Sequence, residues 1–306
     1  MMINILFLIV GFFMLVKGAD IFVDGSAALA KNFKVSSLII GLTIVACGTS
    51  APELAISTSA ALRGSSEIAL SNIVGSNTFN LLGILGICAL IYPLAVSKNI
   101  LKRDFPVSIV ATVITFLAIG GAQIVAANKI VGQDMQVNVA VIGRGFGAAL
   151  MLSYLIYVLY LIWCEKKNPP IEEDIKAIPT KRCVLYIVTG LLSIIIGGQL
   201  VVDSAETIAL MLGMTETLIG FTIIAVGTSL PEFVTSFVAT RKGQVELAVG
   251  NVIGSNIFNL LFILGLSAII KPVAVNLSSV FDIFILIFVT ILSMIFGFTN
   301  KKIRRF

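Results

Sequence analysis

Residues 41–86 read GLTIVACGTSAPELAISTSAALRGSSEIALSNIVGSNTFNLLGILG, and residues 220–265 read GFTIIAVGTSLPEFVTSFVATRKGQVELAVGNVIGSNIFNLLFILG. They align without a gap at a constant offset of 179 residues, and 25 of the 46 positions are identical. Both carry G-T-S-x-P-E and then N-x-x-G-S-N-x-F-N-L-L. These motifs are Gly48–Glu53 with Asn72–Leu82 in the first copy, and Gly227–Glu232 with Asn251–Leu261 in the second. The match thins upstream but continues, with Gly18 and Asp24 aligned to Gly197 and Asp203. Spacing kept over this length means one unit written twice.

The solvent around that unit follows from composition. The chain is 58% hydrophobic and 12% charged, whereas a soluble domain has about a quarter charged residues. Apolar runs of about 20 residues, enough for roughly 30 Å of hydrocarbon, predict nine spans. They lie near 3–30, 36–62, 67–93, 106–125, 138–163, 184–211, 216–240, 246–270 and 278–298. The first lacks a basic start and a small-residue cleavage site, so it is expected to remain as a span rather than be removed as a signal peptide.

Each copy of the repeat starts in one helix, the second or the seventh. Five places is an odd number, so the two copies must cross the membrane in opposite directions. The expected fold is therefore an all-α polytopic membrane protein with two inverted-topology repeats of about five transmembrane helices each. Residues 1–164 form the first repeat (helices 1–5), 165–182 a linker, and 183–306 the second repeat (helices 6–9). Inverted repeats place a binding site near the bilayer midplane, between the halves.

The net charge of +5 is distributed as membrane topology requires, not as a nucleic-acid surface. Lys31, Lys34, Lys98, Lys102, Arg103, Lys166, Lys167, Lys176, Lys181, Arg182, Arg241 and Lys242 fall in loops on one side, with Lys301, Lys302, Arg304 and Arg305. The other side carries Arg63, Lys129 and Lys271, with Arg144 near an outer end. An excess of Lys and Arg marks the cytoplasm. The amino terminus is expected outside, residue 306 inside, and the linker with Pro169, Pro170 and Glu172–Asp174 in the cytoplasm. Cys47, Cys88, Cys164 and Cys183 stand singly in or beside apolar runs, so neither a disulfide framework nor a zinc site is expected. The chain has no histidine, and with it goes the commonest proton shuttle and transition-metal ligand.

Chemistry enters with Glu53 and Glu232, each near the middle of an apolar span. A carboxylate there costs at least about 2 kcal/mol unless it is satisfied. Pro52 and Pro231 supply no N–H and clash with the carbonyl four residues earlier, so the carbonyls of Gly48 and Gly227 are expected to lose their helical donors. Unwound backbone at membrane depth survives only where protein buries it or a cavity receives it. Carbonyls, the hydroxyls of Thr49 and Ser50, and a carboxylate then converge. Asn72, Ser76 and Asn80, and likewise Asn251, Ser255 and Asn259, are spaced by four along one helical face. Oxygen ligands in flexible number suit Ca²⁺; two buried Glu would neutralise one Ca²⁺ or be shared among several Na⁺.

Plainer roles compete for several residues. Gly75, Ser76, Gly254 and Ser255 also permit close helix packing. Glu67 and Glu246 follow Gly64 and Gly243 at a span entrance, where capping or a solvated rim is the expected role. Asp24 and Asp203 either line an access path or satisfy nearby backbone.

With these motifs, G-T-S-A-P-E and G-T-S-L-P-E, G-S-N-T-F-N and G-S-N-I-F-N, the chain resembles the sodium/calcium exchanger family of the cation/Ca²⁺ antiporter superfamily, in its prokaryotic form. The resemblance covers nearly the whole chain. It implies ten helices in two halves, with four cation sites at the centre. Carried over by position, Glu53 and Glu232 would be the principal Ca²⁺ ligands, helped by Thr49 and Thr228. Ser50, Ser229, Ser76 and Ser255, with the carbonyls of Ala46 and Ala225, would complete the Na⁺ sites, and Asn80 and Asn259 would flank the centre. The long helices at 3–30 and 184–211 would slide past a more rigid core. Two features depart from the pattern. Some members carry Asp where Asn259 stands, and an acid there accompanies K⁺ transport, so Asn259 argues against K⁺. Nine spans are counted where ten are implied: the last helix is absent, by truncation or by nature.

The expected activity is exchange of Na⁺ for Ca²⁺ by alternating access. The rival is a cation/H⁺ antiporter using the same Glu pair. An intramembrane enzyme lacks a recognisable triad or zinc constellation, so the chain is expected not to be an enzyme and to need no cofactor. A passive channel fits an inverted duplication less well. Ca²⁺ and Na⁺ as substrates and the lipid bilayer are the expected partners, without nucleic acid, and a monomer is the expected unit.

Overall fold

The computed structural model describes residues 2–64, 66–121, 137–167, 178–214, 225–300 and 302–303. Lys129, Lys176, Lys301, Arg304, Arg305, the linker stretch 168–177 and the expected start of the seventh span at 216–224 lie outside them. The long helices include α1 (Met2–Phe33), α8 (Arg144–Lys167) and α9 (Thr180–Met211). Between α1 and α8 come α2 (Ser37–Ile40), α3 (Ala46–Thr49), α4 (Ala51–Arg63), α5 (Ser66–Phe79), α6 (Leu85–Ile91), β1 (Leu94–Ala95), α7 (Phe105–Ala118) and β2 (Asn138–Ile142). After α9 come α10 (Ala225–Gly227), α11 (Leu230–Arg241), α12 (Val245–Ile257), α13 (Leu264–Ile270), β3 (Val273–Asn276), α14 (Leu277–Asn300) and β4 (Lys302–Ile303). Wider π turns interrupt the helices at Gly41–Val45, Asn80–Ile84, Ile100–Asp104 and Phe258–Ile263. Such bulges cluster at functional sites.

Among the described residues six helices are long and apolar enough to cross a membrane: Met2–Phe33, Ile68–Ile91, Arg144–Glu165, Thr180–Met211, Val245–Ile270 and Leu277–Phe298. A seventh is the pair Ser37–Thr49 and Ala51–Arg63, bent by 50°. The nine-span expectation is thus met at seven places. At 106–125 and 216–240 the described helices, α7 with 14 residues and α11 with 12, are too short to span, and both of these stretches extend beyond the described residues.

The fold is not purely helical. The expected helix at 138–163 begins only at Arg144, and Asn138–Ile142 pairs antiparallel with Val273–Asn276. The alternating branched residues of Val137-Asn138-Val139-Ala140-Val141-Ile142 favour a pleated strand. A second small ladder pairs Leu94–Ala95 with Lys302–Ile303. Prolines set where β1 and β3 start: just past α6 and α13 the chain turns extended at Tyr92 (φ −145°, ψ 135°) and Lys271 (φ −146°, ψ 131°). Each precedes a proline, Pro93 and Pro272, whose ring excludes helical geometry from the residue before it.

Burial separates two layers. The spanning window of Val245–Ile270 is 78% buried, those of α1 and α9 only 28%, so the α12–α13 span is core and the long pair flanks it. Val249, Val252, Ile253 and Ile257 of α12 pack in one apolar cluster with Leu70, Ile73 and Val74 of α5. α1 and α9 meet through glycines. A Cβ at Gly11 would stand 2.8 Å from Gly197 O, and one at Gly18 2.9 Å from Gly190 O. Rising numbers on one helix meet falling numbers on the other, so the two run antiparallel. Small residues allow this main-chain approach.

Candidate functional site

The candidate cation site forms where the two sequence copies meet. Pro52 and Pro231 stand in the first turns of α4 and α11, where a missing N–H is no loss. Just before them Ser50 (φ −79°, ψ 14°) and Ser229 (φ −90°, ψ 8°) leave helical geometry. The expected break at the prolines is therefore present, with a new helix starting at each. Glu53 and Glu232 fall in those first turns, and a helix N-terminus favours negative charge. Both are 0% exposed.

Each carboxylate takes a hydrogen bond from the other copy. Ser50 Oγ donates to Glu232 Oε1 at 2.7 Å, and Ser229 Oγ donates to Glu53 Oε1 at 3.1 Å. Ser76 of α5 adds a longer bond to Glu53 Oε1 at 3.5 Å. Behind each Glu the pattern repeats. Asn72 Nδ2 donates to Ser57 Oγ at 2.9 Å and to Glu53 O at 3.3 Å. Asn251 Nδ2 donates to Ser236 Oγ at 2.9 Å and to Glu232 O at 3.3 Å. These two asparagines spend their N–H₂ groups tying helix to helix.

Four more amides close the centre. Asn77 Nδ2 donates to Asn256 O at 3.1 Å, and Asn256 Nδ2 to Asn77 O at 3.2 Å. Asn80 Nδ2 donates to Asn256 Oδ1 and Asn259 Nδ2 to Asn77 Oδ1, both at 3.0 Å. Sequence reasoning does not single out Asn77 or Asn256. The available signal is their repeat pairing and their place one helical turn before Asn80 and Asn259.

Oxygen is what remains. Glu53 Oε2, Glu232 Oε2, Asn80 Oδ1, Asn259 Oδ1 and Ser255 Oγ are buried and have no hydrogen-bond partner among the described residues. Unpaired buried acceptors are costly, carboxylate oxygens most of all. Two carboxylates among oxygen donors have the chemistry that suits a hard cation such as Ca²⁺ or Na⁺. Among the described residues no group of three or more His, Cys, Asp or Glu gathers.

The other expected residues divide. Thr49, fully buried, donates to Asn251 Oδ1 at 3.0 Å and to Ala46 O at 3.4 Å. Ala46 O also accepts from Ser50 N at 3.0 Å, so this carbonyl is already engaged. Thr228 is only half-buried. Ala225 opens α10 at the position matching Ala46. Glu246 lies in the first turn of α12, as expected for a helix start. Asp24 accepts from Lys242 Nζ at 2.8 Å, and Asp203 from Gln199 Nε2 at 2.6 Å; neither reaches the central cluster.

A largely helical membrane protein with an oxygen-lined cluster between two sequence copies is a cation carrier in outline, and comparison with known proteins narrows it. The family model "Sodium/calcium exchanger protein" matches residues 3–163 and 183–306. CaxA of Alkalimonas amylolytica is 35% identical over 314 residues, covering 100% of this chain and 93% of that protein. The sodium/calcium exchanger MaX1 of Methanosarcina acetivorans is 32% identical over 334 residues, covering 99% and 93%. The solved structure of the sodium-calcium exchanger NCX_Mj, soaked with Na⁺ and Ca²⁺, matches with a TM-score of 0.81 at 28% identity, covering 99% of this chain and 92% of that one. The chain belongs to the sodium/calcium exchanger family, whose members are membrane cation/Ca²⁺ antiporters.

Proposed function

We propose that this chain exchanges Na⁺ for Ca²⁺ by alternating access, with Glu53 and Glu232 as the shared charges of one central site. The observation that carries this is the set of buried, unpartnered oxygens on Glu53, Glu232, Asn80, Asn259 and Ser255. Their two negative charges match one Ca²⁺. Replacing it by Na⁺ ions keeps the cluster neutral, and a common set of ligands makes the two ions compete. Ser50 and Ser229 hold one oxygen of each carboxylate and leave the other to the ion. Thr49, Thr228, Ser76 and the carbonyls of Ala46 and Ala225 complete the proposed set. Support for an inverted-topology duplication, 1–164 and 183–306 about the linker 165–182, comes from the antiparallel α1–α9 pair and the mirrored bonds of the centre. Its proposed orientation is amino terminus outside.

The test is uptake of radiolabelled Ca²⁺ into vesicles holding the purified protein. An outward Na⁺ gradient should drive it, and a pH gradient alone should not. Uptake driven equally by protons would replace Na⁺ as the counter-ion. Retained uptake in both Glu53→Gln and Glu232→Gln would remove the site assignment.

A further inference from the structure

A carboxamide has an oxygen edge and an N–H₂ edge of nearly the same shape. Only the oxygen edge serves a cation; an N–H₂ turned inward repels it. Asn80 and Asn259 each spend their N–H₂ group and leave a buried oxygen without a partner among the described residues, so something must set their direction. We propose that Asn77 and Asn256 are positioning residues that fix the polarity of Asn259 and Asn80, and through it the Ca²⁺ affinity of the site. This rests on the cation-site reading given above.

The direction follows from where each N–H₂ is spent. Asn77 Nδ2 is committed to the main-chain carbonyl of Asn256, and Asn256 Nδ2 to that of Asn77. Those carbonyls are fixed by α5 and α12, so each of the two side chains has only its oxygen left to offer. Each oxygen is taken: Asn77 Oδ1 by Asn259 Nδ2, Asn256 Oδ1 by Asn80 Nδ2. The donors of Asn80 and Asn259 are thereby committed, and their own oxygens are left unpartnered among the described residues. All four amides are at most 1% exposed, so bulk water does not compete for these bonds. Asn77 and Asn256 each spend one acceptor position of their oxygen on the neighbouring amide. They act through the next residue.

Positioning and packing are separated by a double-mutant cycle. The quantity is the Ca²⁺ concentration giving half-maximal Na⁺-driven uptake. Asn77→Ala lets the Asn259 amide turn, and should raise that concentration by about tenfold, as for other groups that orient a metal ligand. A carboxylate at 259 has oxygen on both edges and needs no orientation. In an Asn259→Asp background, Asn77→Ala should therefore cost less than about twofold, a departure from additivity that only coupled residues show. Equal losses in the two backgrounds would mean that Asn77 merely packs, and would overturn the proposal. The mirror cycle, Asn256→Ala with and without Asn80→Asp, gives the same readout should Asn77→Ala fail to fold. Glu53→Gln in the same vesicles separates the two levels. If it transports like the parent protein, the cation-site reading and this proposal fall together; if it is inactive while the cycles are additive, positioning alone is wrong.

Discussion

The centre of this molecule and its rim treat the duplication differently. At the centre most bonds of one copy recur in the other: Ser50 and Ser229 cross to opposite carboxylates, and the asparagines pair in mirrored sets, while Ser76 reaches Glu53 without a matching bond from Ser255. At the rim the copies diverge. Lys242 binds Asp24 at 2.8 Å and Asp20 at 3.3 Å, clasping the end of α11 to α1. The positions matching these, at the offset of 179, are Arg63, Asp203 and Gln199. There Asp203 turns to Gln199 on its own helix, and Arg63, exposed, makes no ion pair among the described residues. For the proposed alternating access, a centre reached from either side calls for symmetry, and a rim closed on one side at a time calls for its absence.

The sharpest break of central symmetry would be unequal Glu variants. Glu53→Gln and Glu232→Gln should each cut Na⁺-driven Ca²⁺ uptake by at least about a hundredfold, at the upper end for a lost metal partner. Survival of one and loss of the other in vesicle uptake would show that a single carboxylate carries the ion. One step down are Ser50→Ala and Ser229→Ala. A hydrogen bond to a charged group is worth about 1.5–3 kcal/mol, so each should raise half-saturating Ca²⁺ by at least about tenfold. The shorter Ser50 bond should matter more. A smaller effect from Ser50 than from Ser229 would contradict the cross-copy geometry.

How far the sequence reaches follows the same division. The burial of Glu53 and Glu232 and the break at Pro52 and Pro231 were legible because a carboxylate in an apolar span must be satisfied inside the protein and a proline interrupts the helix. Asn77 was not, because a buried Asn gives the same sequence signal whether it packs, ligates or positions; its partners lie at Asn256 and Asn259, on another helix. The strand at Asn138–Ile142 was absorbed into an apolar run, since hydropathy counts branched residues the same way in helix and strand. The Lys242 clasp was invisible for a simpler reason: Arg63 and Lys242 are the same charge at the same repeat position, and only the fold gives one of them acids to bind.

The flanking helices offer a test of whether α1 and α9 must stay close. A side chain at Gly18 would drive into Gly190 O, so Gly18→Val should destabilise by about 1–3 kcal/mol, the usual range for overpacking. It should lower the melting temperature of the detergent-solubilised protein. Gly86 has open space at its Cβ position, and Gly86→Val should leave packing undisturbed. Equal melting temperatures for the two variants would mean that the glycine contacts do not limit the approach.

The smallest effect belongs to the rim, where the comparison is most exposed to refutation. Surface ion pairs contribute about 0–1 kcal/mol, and Lys242 holds two acids at the mouth of a groove of about 490 Å³ between α1 and α11. Phe233, next to Glu232, lines the same groove. Lys242→Ala should loosen α1 there and raise amide hydrogen exchange of residues 12–24 by at most about fivefold, the ceiling that such a pair allows. High salt should mimic it by screening. Arg63→Ala, having no such pair to break, should leave exchange at residues 199–203 unchanged. If both variants loosened their helices alike, the rim would be as symmetric as the centre.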